Sequence, residues 1–562
     1  AQDRLKLNRK QSPWMVSSWS HQVLTLNALW NALLLAKCVA GNSILPPPPP
    51  PLGGTISNDP SRGLLVDEDG RDRIFHGTNV VYKGYPYMPP AFPIDSNTSF
   101  GEADMERISS WGMNNIRLGL SWVGAEPKKG EYNFTYLKQL RDIVDALGHY
   151  GIYTYVELHQ DVFSERFCGN GFPSWVVDAD VAQSFPQPMR FKGYPVNDTD
   201  GLPSVADCKL IPWASYYMSK AVGEAFQNVY DDVGGVGHRV IELWRQVASV
   251  FKNCTWLLGY ELMNEPWAGD HLKNPSLLYP GVADKANLAP LYAKLAKAIQ
   301  DVDRDHIIMF EPIPWNNFAQ AGFEETPLGA GNANQSVFAY HYYHPPDFMS
   351  PLSYLYHRTS DARRLSSAGF LTEFSASWNV PDDTIPQHDL RHTKDVIAAA
   401  ENFTQSWSGW QYKVFHPVLG RYPMTPGIMS MFFPNGSLDM GMVSAVSQPY
   451  ARAVAGTIQF NKFTEASHGS WPWGHRSSYV LEYYARKRCK LPTEVYVDEA
   501  MHFPGGLEIT LLVGDNVATA VYNSSSKLVH VLHAHHLSDG AFISLKIESR
   551  RTLRGHIVDT LV

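Results

Sequence analysis

Two acidic residues, each near the end of a short apolar run, carry the clearest chemical signal in the sequence. Glu265 lies in segment 260–267 (YELMNEPW), and Glu373 lies in segment 371–375 (LTEFS). Pro266 cannot donate to a neighbouring strand, so it marks the end of the strand that carries Glu265. Adjacent strand residues point in opposite directions, so Asn264 and Glu265 are not both ordinary core residues.

A pair of carboxyl groups at strand ends suits glycoside hydrolysis. We expect Glu265 to protonate the leaving oxygen and then to deprotonate the incoming water, so it acts as the acid/base. Glu373 would attack the anomeric carbon as the nucleophile, and the Asn264 amide would hold the sugar 2-hydroxyl. This mechanism calls for a raised pKa at Glu265, from burial and from nearby negative charge.

The central part of the chain predicts the elements that would position this pair. From about residue 64, β-branched and aromatic runs alternate with helical patterns such as 136–150, 236–251 and 288–303. Eight strands are predicted, at 74–80, 115–122, 153–160, 257–266, 307–313, 337–343, 369–374 and 409–413. Eight β/α units form a closed (β/α)8 TIM barrel, whose active site lies at the C-terminal ends of the strands. Strands four and seven face each other there, so the two carboxyl groups approach the roughly 5 Å separation of a retaining enzyme.

The pattern changes after about residue 460. Alternating runs at 494–497, 507–513, 517–522, 529–533 and 542–547, separated by glycine turns, predict an antiparallel β-sandwich. It is either a glycan or membrane contact module or, as we favour, a structural domain packed on the barrel. The predicted division is a leader at 1–40, a Pro-rich linker at 41–63, the barrel at 64–460 and the sandwich at 461–562.

With these motifs the chain resembles glycoside hydrolase family five, and within it the endoglycoceramidases. The resemblance is carried by the Asn-Glu-Pro motif together with 77–83 (GTNVVYK), 117–122 (RLGLSW), 158–161 (LHQD) and 169–175 (GNGFPSW). It covers roughly residues 64 to 460, with a sandwich following. Enzymes of this kind cleave the β-linkage between oligosaccharide and ceramide in glycosphingolipids. The resemblance therefore implies a glycosphingolipid substrate at a membrane or micelle surface.

The resemblance also implies roles for residues around the nucleophile. Arg117, within an apolar strand, would orient and charge-stabilise Glu373; a buried arginine needs such a partner in any case. His341 and Tyr343 match the family's His-x-Tyr on strand six, and Tyr343 would hydrogen-bond Glu373.

A second group would bind the sugar next to the scissile bond. The resemblance gives His159 and Asp161 as ligands of sugar hydroxyls, and Lys83 as a contact to the glycan. Trp410 would form the floor beneath the sugar, with Trp407 as a rival for that position.

The start of the chain and its sequons predict the secretory pathway. Residues 1–22 are polar and basic, and 23–40 are mostly apolar and end in small residues, as in a signal peptide starting at Met15. A signal anchor is the alternative, although 18 residues make a short spanning helix. Eight N-x-S/T sequons predict a secreted or lysosomal glycoprotein; they are Asn97, Asn133, Asn197, Asn253, Asn334, Asn402, Asn435 and Asn523. Association with a membrane is compatible with either location.

The cysteines agree with secretion. Removal of Cys38 with the leader leaves four, which allow three pairings. We favour Cys168 with Cys208, as a staple in the long connection 161–212 after the third strand. The alternative is four unpaired, buried thiols.

Composition argues against several other classes of protein. A net charge of −8 and a pI near 6.2 lack the basic footprint of a nucleic-acid-binding protein. The His and Cys residues do not follow zinc spacings, and no serine nucleophile elbow is present, so no metal or other cofactor is expected. We expect a monomer.

Other substrates on the same catalytic machinery remain open. They are glucosylceramide, a steryl glucoside and a soluble glucan such as cellulose or mannan. Segments 82–92 and 163–175 would line the apolar trough that ceramide requires, or they are ordinary packing at the barrel rim. The alternative from another functional class is a non-catalytic glycan- or lipid-binding protein on the same barrel, whose binding would not depend on Glu373.

Overall fold

The computed structural model describes residues 54–91, 98–314, 319–344, 348–375, 390–415, 430–433, 435–466 and 476–550. The leader, Cys38, the proline run and the Asn97 sequon lie outside these residues. The described strands are β1 (Ile56–Asp59), β2 (Leu64–Asp67), β3 (Asp72–Arg73), β4 (His76–Val80), β5 (Asn115–Ser121), β6 (Tyr153–His159), β7 (Leu257–Glu261), β8 (Ile307–Phe310), β9 (Ser336–Tyr342), β10 (Ala368–Phe374), β11 (Ser406–Gly409), β12 (Tyr450–Val454), β13 (Gly456–Thr464), β14 (Ser478–Ala485), β15 (Thr493–Tyr496), β16 (Leu507–Val513), β17 (Ala518–Asn523), β18 (Leu528–His533) and β19 (Phe542–Ser549).

The described α-helices lie mainly between the strands of the first half. They are α1 (Glu102–Ser110), α2 (Trp122–Ala125), α3 (Phe134–His149), α4 (Ala179–Gln183), α5 (Val205–Cys208), α6 (Lys220–Tyr230), α7 (Val236–Phe251), α8 (Ala289–Gln300), α9 (Pro351–Arg364), α10 (Leu390–Asn402), α11 (Met440–Val446) and α12 (Glu499–His502). Within the described residues, no helix has both the length and the apolar character needed to cross a bilayer.

Strands β4 to β11 form a closed, parallel, eight-stranded barrel. Strand residues alternate between the helices outside and the lumen inside. In β5, Ile116, Leu118 and Leu120 join the core beneath the helices. Arg117, between them in sequence, is fully buried and bonds to residues of other barrel strands. The (β/α)8 TIM barrel predicted from the sequence is therefore confirmed.

A hairpin covers the end of the barrel opposite the predicted active site. Ile56 in β1 and Leu65 in β2 share a buried cluster with Tyr153 at the start of β6. The Asn58 side chain donates to the main-chain carbonyl of Ser366, just before β10, at 2.8 Å. Because β1 lies inside segment 41–63, the predicted Pro-rich linker cannot extend to residue 63.

The C-terminal domain is an antiparallel β-sandwich, as predicted. One sheet has the order β1-β2-β3-β12-β15-β18-β17, and the other has the order β13-β14-β19-β16. Both sheets contribute to one apolar core, for example Val495 and Val531 from the first and Leu481 and Leu545 from the second. The first sheet combines strands from both ends of the described chain, so backbone hydrogen bonds through β3 tie the hairpin to the sandwich.

Several predicted boundaries differ from the structure. The fourth strand ends at Glu261 instead of Pro266, and the eighth is Ser406–Gly409 instead of 409–413. The start of the eighth strand was missed because Ser406 and Ser408 are polar. Inside the barrel the Ser406 hydroxyl accepts from Phe75 N, and the Ser408 hydroxyl donates to Asn115 Oδ1. Strands β12, β13 and β14 were not predicted, and β12 and β13 place the start of the sandwich before residue 461.

Candidate active site

The site lies where barrel strands end at their carboxyl edge. Glu373 is in β10, three strands around the barrel from β7, after which the chain continues to Glu265. A ligand oxygen of Glu265, one of Glu373 and a ring nitrogen of His341 all lie within 4.8 Å of one another. Retaining glycosidases hold their two carboxyl groups about 5–5.5 Å apart, whereas inverting ones leave about 6.5–9.5 Å. The spacing in this site is that of a retaining enzyme.

Side chains bond to both the N–H and the carbonyl of Glu265. Its N–H donates to Glu311 Oε2 at 2.8 Å, and its carbonyl accepts from Gln160 Nε2 at 2.9 Å. Its backbone φ of 39° lies in the left-handed region, which a non-glycine residue adopts only where its surroundings enforce it. The carboxyl Oε1 lies 2.9 Å from Nδ1 of His341.

Glu373 has a different set of partners. Arg117 donates to its Oε1, and the Tyr343 hydroxyl donates to its Oε2 at 2.6 Å. A register irregularity between Leu371 and Glu373 sets Glu373 beside His341 of β9. Both oxygens of Glu373 therefore accept hydrogen bonds from buried donors that fix the carboxylate plane.

Arg117 connects the two halves of the site. Its Nε donates to Glu261 at 2.6 Å, and its Nη2 donates to Asn264 Oδ1 at 2.9 Å and lies 3.8 Å from Glu157. Burial alone would lower its pKa, but the charges of Glu157, Glu261 and Glu373 outweigh burial and hold the pKa of Arg117 well above its usual value. The guanidinium is therefore a permanent positive charge at the centre of the site.

The environment of Glu265 favours its protonated form. Burial, followed by the negative charge of Asp161, raises the pKa of Glu265 to about 7. Burial also lowers the pKa of His341 to about 4, with Arg117 adding to the effect and Glu373 opposing it. His341 is therefore neutral near pH 7, and its contact brings no positive charge to Glu265.

A charged cluster lies on the other side of the site. The Lys83 ammonium contacts Asp161 Oδ2 at 2.6 Å and lies 4.8 Å from the Trp410 ring centre. His159 contacts Asp161 at 3.3 Å and Glu157 at 2.8 Å, and its ring stacks 5.7 Å from that of Trp410. Burial acts to lower the pKa of His159, but the two carboxylates raise it to about 9. Conversely, Lys83 and His159 overcome the effect of burial and lower the pKa of Asp161.

The structure separates the two tryptophans. Trp407, in β11, is fully buried, with its ring 4.4 Å from His76 and 5.5 Å from Phe374. Trp410 lies beyond β11, where it clusters with Val81 and Tyr343. Of the two, Trp410 is therefore the one that adjoins the carboxyl groups.

The predicted trough segments behave differently from each other. Phe163, Phe167 and Phe172 are buried and contact one another, with ring centres 4.6 Å apart for Phe163 and Phe172. They belong to the core, so for these rings the packing alternative holds. In the other segment, Tyr82 is buried but Tyr85 is exposed.

Three buried carboxyl groups of the site were not singled out from the sequence. Glu157 and Glu261 lie inside β6 and β7, and Glu311 directly follows β8. Burial in the first place raises the pKa of Glu261 and of Glu311, the latter well above its usual value with Glu265 adding to the effect. A sequence signal existed for Glu311, because Glu311-Pro312 repeats the Glu265-Pro266 pair at the end of an apolar run.

Some of these groups also have metal-ligand spacing. Donor atoms of Glu261, Glu311 and His341 lie within 4.8 Å of one another, as do those of Glu265, His341 and Glu373. The first set would offer a buried ligand set and the second a partly exposed one. That the protein needs no metal stays a prediction.

A disulfide joins Cys168 to Cys208, the pair favoured from the sequence, with a Cα–Cα distance of 5.4 Å. It closes the connection after β6, which also carries Asp161. Cys254 and Cys489 are free thiols. The described sequon asparagines are all exposed; they are Asn133, Asn197, Asn253, Asn334, Asn402, Asn435 and Asn523.

Comparison with known proteins places the site in a family. The sequence profile of Cellulase (glycosyl hydrolase family 5) matches residues 75–415, and that of the Glycoside hydrolase family 5 C-terminal domain matches residues 448–547. The chain is 38% identical to the Endoglycoceramidase of Hydra vulgaris, over 84% of this chain and 85% of the relative. It is also 38% identical to the Endoglycoceramidase of Cyanea nozakii, over 88% of this chain and 94% of the relative. Among solved structures, Endo-glycoceramidase II from Rhodococcus sp. shares the fold, with a TM-score of 0.66 and 24% identity over 87% of this chain and 100% of that one.

Proposed function

Because the chain belongs to glycoside hydrolase family 5, we propose that it is a retaining endo-β-glycosidase that releases the oligosaccharide of glycosphingolipids from ceramide. The observation that carries the proposal is the pair Glu265 and Glu373, within 4.8 Å of each other but in contrasting surroundings. The substrate class is supported by 38% identity, over most of the chain, to two relatives named Endoglycoceramidase.

The reaction begins with attack on the glycosidic bond. Glu373, oriented by Arg117 and Tyr343, attacks the anomeric carbon. Glu265 donates its proton to the ceramide oxygen as the bond breaks, which leaves free ceramide and a glycosyl ester of Glu373. A pKa of about 7 keeps Glu265 protonated in mildly acidic solution, so the acid is available for this step.

The second step restores the enzyme. Glu265, now ionised, takes a proton from a water molecule, whose oxygen attacks the anomeric carbon and displaces Glu373. The products are the intact oligosaccharide, with retained β-configuration, and the free carboxylate of Glu373. Asn264, held by Arg117 at 2.9 Å, would bind the 2-hydroxyl of the sugar during both steps.

The charged cluster beside the acid/base would bind the sugar. Lys83, His159 and Asp161 offer donors and acceptors to hydroxyl groups, and the Trp410 face offers a stacking surface. These groups bond to one another, so they are already oriented when substrate binds.

A release assay tests the proposal. Purified protein is incubated at about pH 5, below the pKa of Glu265, with lactosylceramide, glucosylceramide and carboxymethyl cellulose in parallel, and products are identified by mass spectrometry. We expect lactose and free ceramide from lactosylceramide, lost in Glu373→Gln and kept in the exposed control Glu131→Gln. Glucose from glucosylceramide alone would indicate a glucosylceramidase instead. No product from any substrate would contradict the enzymatic proposal and favour a glycan- or lipid-binding protein.

We also propose that the protein is a secreted or lysosomal glycoprotein. Exposed sequons and a disulfide are features of proteins that mature in an oxidising compartment. Enzymatic removal of N-linked glycans from the natural protein should lower its mass. An unchanged mass would contradict the proposal.

A further inference from the structure

Glu311 is a buried carboxyl group that has no role in the proposed reaction. It directly follows β8, and only 1% of its surface is exposed. Its Oε2 accepts the main-chain N–H of Glu265 at 2.8 Å. Its Oε1 lies 3.5 Å from Nδ1 of His341, the same nitrogen that lies 2.9 Å from Glu265 Oε1. One carboxyl group thus contacts the main chain of Glu265 and the ring that contacts the Glu265 side chain.

The N–H and the carbonyl of Glu265 bond to side chains and not to a neighbouring strand. β7 ends four residues earlier, at Glu261, although the Asn264 N–H still donates to the Leu158 carbonyl of β6 at 3.0 Å. The left-handed backbone of Glu265, with φ of 39°, costs a non-glycine residue about 1–3 kcal/mol unless neighbouring contacts impose it. Two contacts do so: Gln160 donates to the carbonyl, and Glu311 accepts from the N–H.

We propose that Glu311 is a positioning residue that aims the acid/base Glu265 at the glycosidic oxygen, through the Glu265 N–H and the His341 ring. The inference rests on the proposed role of Glu265 and not on the ceramide substrate. Burial, with Glu265 adding to it, raises the pKa of Glu311 well above its usual value, which favours the neutral carboxyl group. A glutamine, which is also neutral and keeps one acceptor oxygen, should therefore replace Glu311 with little loss.

The test varies the leaving group, which separates a misplaced Glu265 from a general loss of activity. Phenyl β-lactoside has a poor leaving group that needs the proton of Glu265, whereas dinitrophenyl β-lactoside has one that departs without it. For both, kcat/KM reports transition-state stabilisation relative to the free enzyme. Loss of acid catalysis lowers kcat/KM for the phenyl lactoside selectively, and Glu265→Ala shows the full size of that selectivity.

The informative variants are Glu311→Met and Glu311→Gln, which have similar volume but differ in the acceptor oxygen. In Glu311→Met, kcat/KM for phenyl lactoside should fall about 10²-fold, the cost of a misplacement near 1 Å, with a change below about threefold for dinitrophenyl lactoside. In Glu311→Gln, both values should stay close to those of the wild type. If the methionine variant does not fold, Glu311→Ala takes its place, since it also lacks the acceptor.

The matched control is Asp284, another buried carboxyl group that accepts main-chain N–H groups, from Ile313 at 2.9 Å and Gly322 at 2.8 Å. Asp284→Leu should lower the stability of the fold but should change kcat/KM for the two lactosides by equal factors.

Three results would overturn the inference: equal effects of Glu311→Met on both lactosides, no effect on either, or a selectivity in Glu311→Gln as large as in Glu311→Met. If the wild type cleaves neither lactoside, the proposed function fails and the inference fails with it. If Glu265→Ala shows no selectivity, the acid/base assignment is at fault.

Discussion

Breaking the Lys83–Asp161 ion pair from either end should move the pH profile of the enzyme in opposite directions. The kcat/KM of the free enzyme requires protonated Glu265, whose pKa is raised to about 7, so activity should fall as the pH rises above this value. The negative charge of Asp161 raises the pKa of Glu265, and the positive charge of Lys83 lowers it. Asp161→Asn should therefore move the basic limb to lower pH, and Lys83→Met should move it to higher pH.

The size of the effect follows from the proximity of the charges. A nearby charge shifts the pKa of a buried carboxyl group by about 1–3 units. We take about 1 unit, since both charges remain partly balanced by other groups, and this corresponds to about 1.4 kcal/mol. The limb would then lie near pH 6 in Asp161→Asn and near pH 8 in Lys83→Met. At pH 7 the protonated fraction of Glu265 would be about 0.1 and about 0.9, respectively.

The assay is the pH dependence of kcat/KM with phenyl β-lactoside, for wild type and both variants. Each variant loses the same 2.6 Å contact, so a purely structural effect would move both profiles in one direction. Only the midpoints are compared, because either change also weakens sugar binding at every pH. Lys128→Met, on an exposed surface pair, serves as the control and should leave the midpoint unchanged. Shifts of the same sign in the two variants, or no shift in either, would refute the reasoning.

Two further predictions concern the supports of the site. Arg117→Lys keeps the charge but loses the planar fork that bonds to Glu261 and Glu373, so kcat should fall about 10²-fold, and the free energy of unfolding should fall by about 3 kcal/mol. Kinetics and denaturant unfolding measure both, and wild-type values would contradict the assigned role. Replacing Cys168 and Cys208 with serine opens a loop with a sequence separation of 40 residues, which should lower the free energy of unfolding by about 4 kcal/mol on chain-entropy grounds. A loss below about 1 kcal/mol, measured against the wild type under non-reducing conditions, would show that the entropy account does not hold here.

Much of the fold was predictable because its signals are local. Strand and helix patterns such as Val236–Phe251 and Leu507–Val513 match the structure residue for residue. Two of the strands that were missed depend on a distant partner: β12 pairs with β3, more than 370 residues away in sequence. Nothing in a short window of sequence shows such a pairing.

The site was predictable to the extent that its residues sit at strand ends. The structure places Arg117 and Tyr343 against Glu373, the arrangement that the resemblance implied, and places His341 against Glu265, which was not anticipated. The roles of these residues stay predictions until variants are assayed.

The sequence could not show how the site balances its charges. Glu157 and Glu261 look in the sequence like isolated acids in apolar strands, and their role depends on which groups face them across the lumen. Likewise, the left-handed backbone of Glu265 depends on Gln160 and Glu311, which directly follow two other barrel strands, β6 and β8.

One buried arginine explains how two like residues acquire opposite tasks. Arg117 donates to Glu373 directly, so the proposed nucleophile accepts a charge-assisted hydrogen bond from a permanently charged guanidinium. Glu265 faces His341 instead, whose ring is neutral because burial and that same arginine lower the pKa of His341 to about 4. Removal of the positive charge of Arg117 should therefore weaken the nucleophile, and it should raise the pKa values of both His341 and Glu265, since that charge lowers each of them.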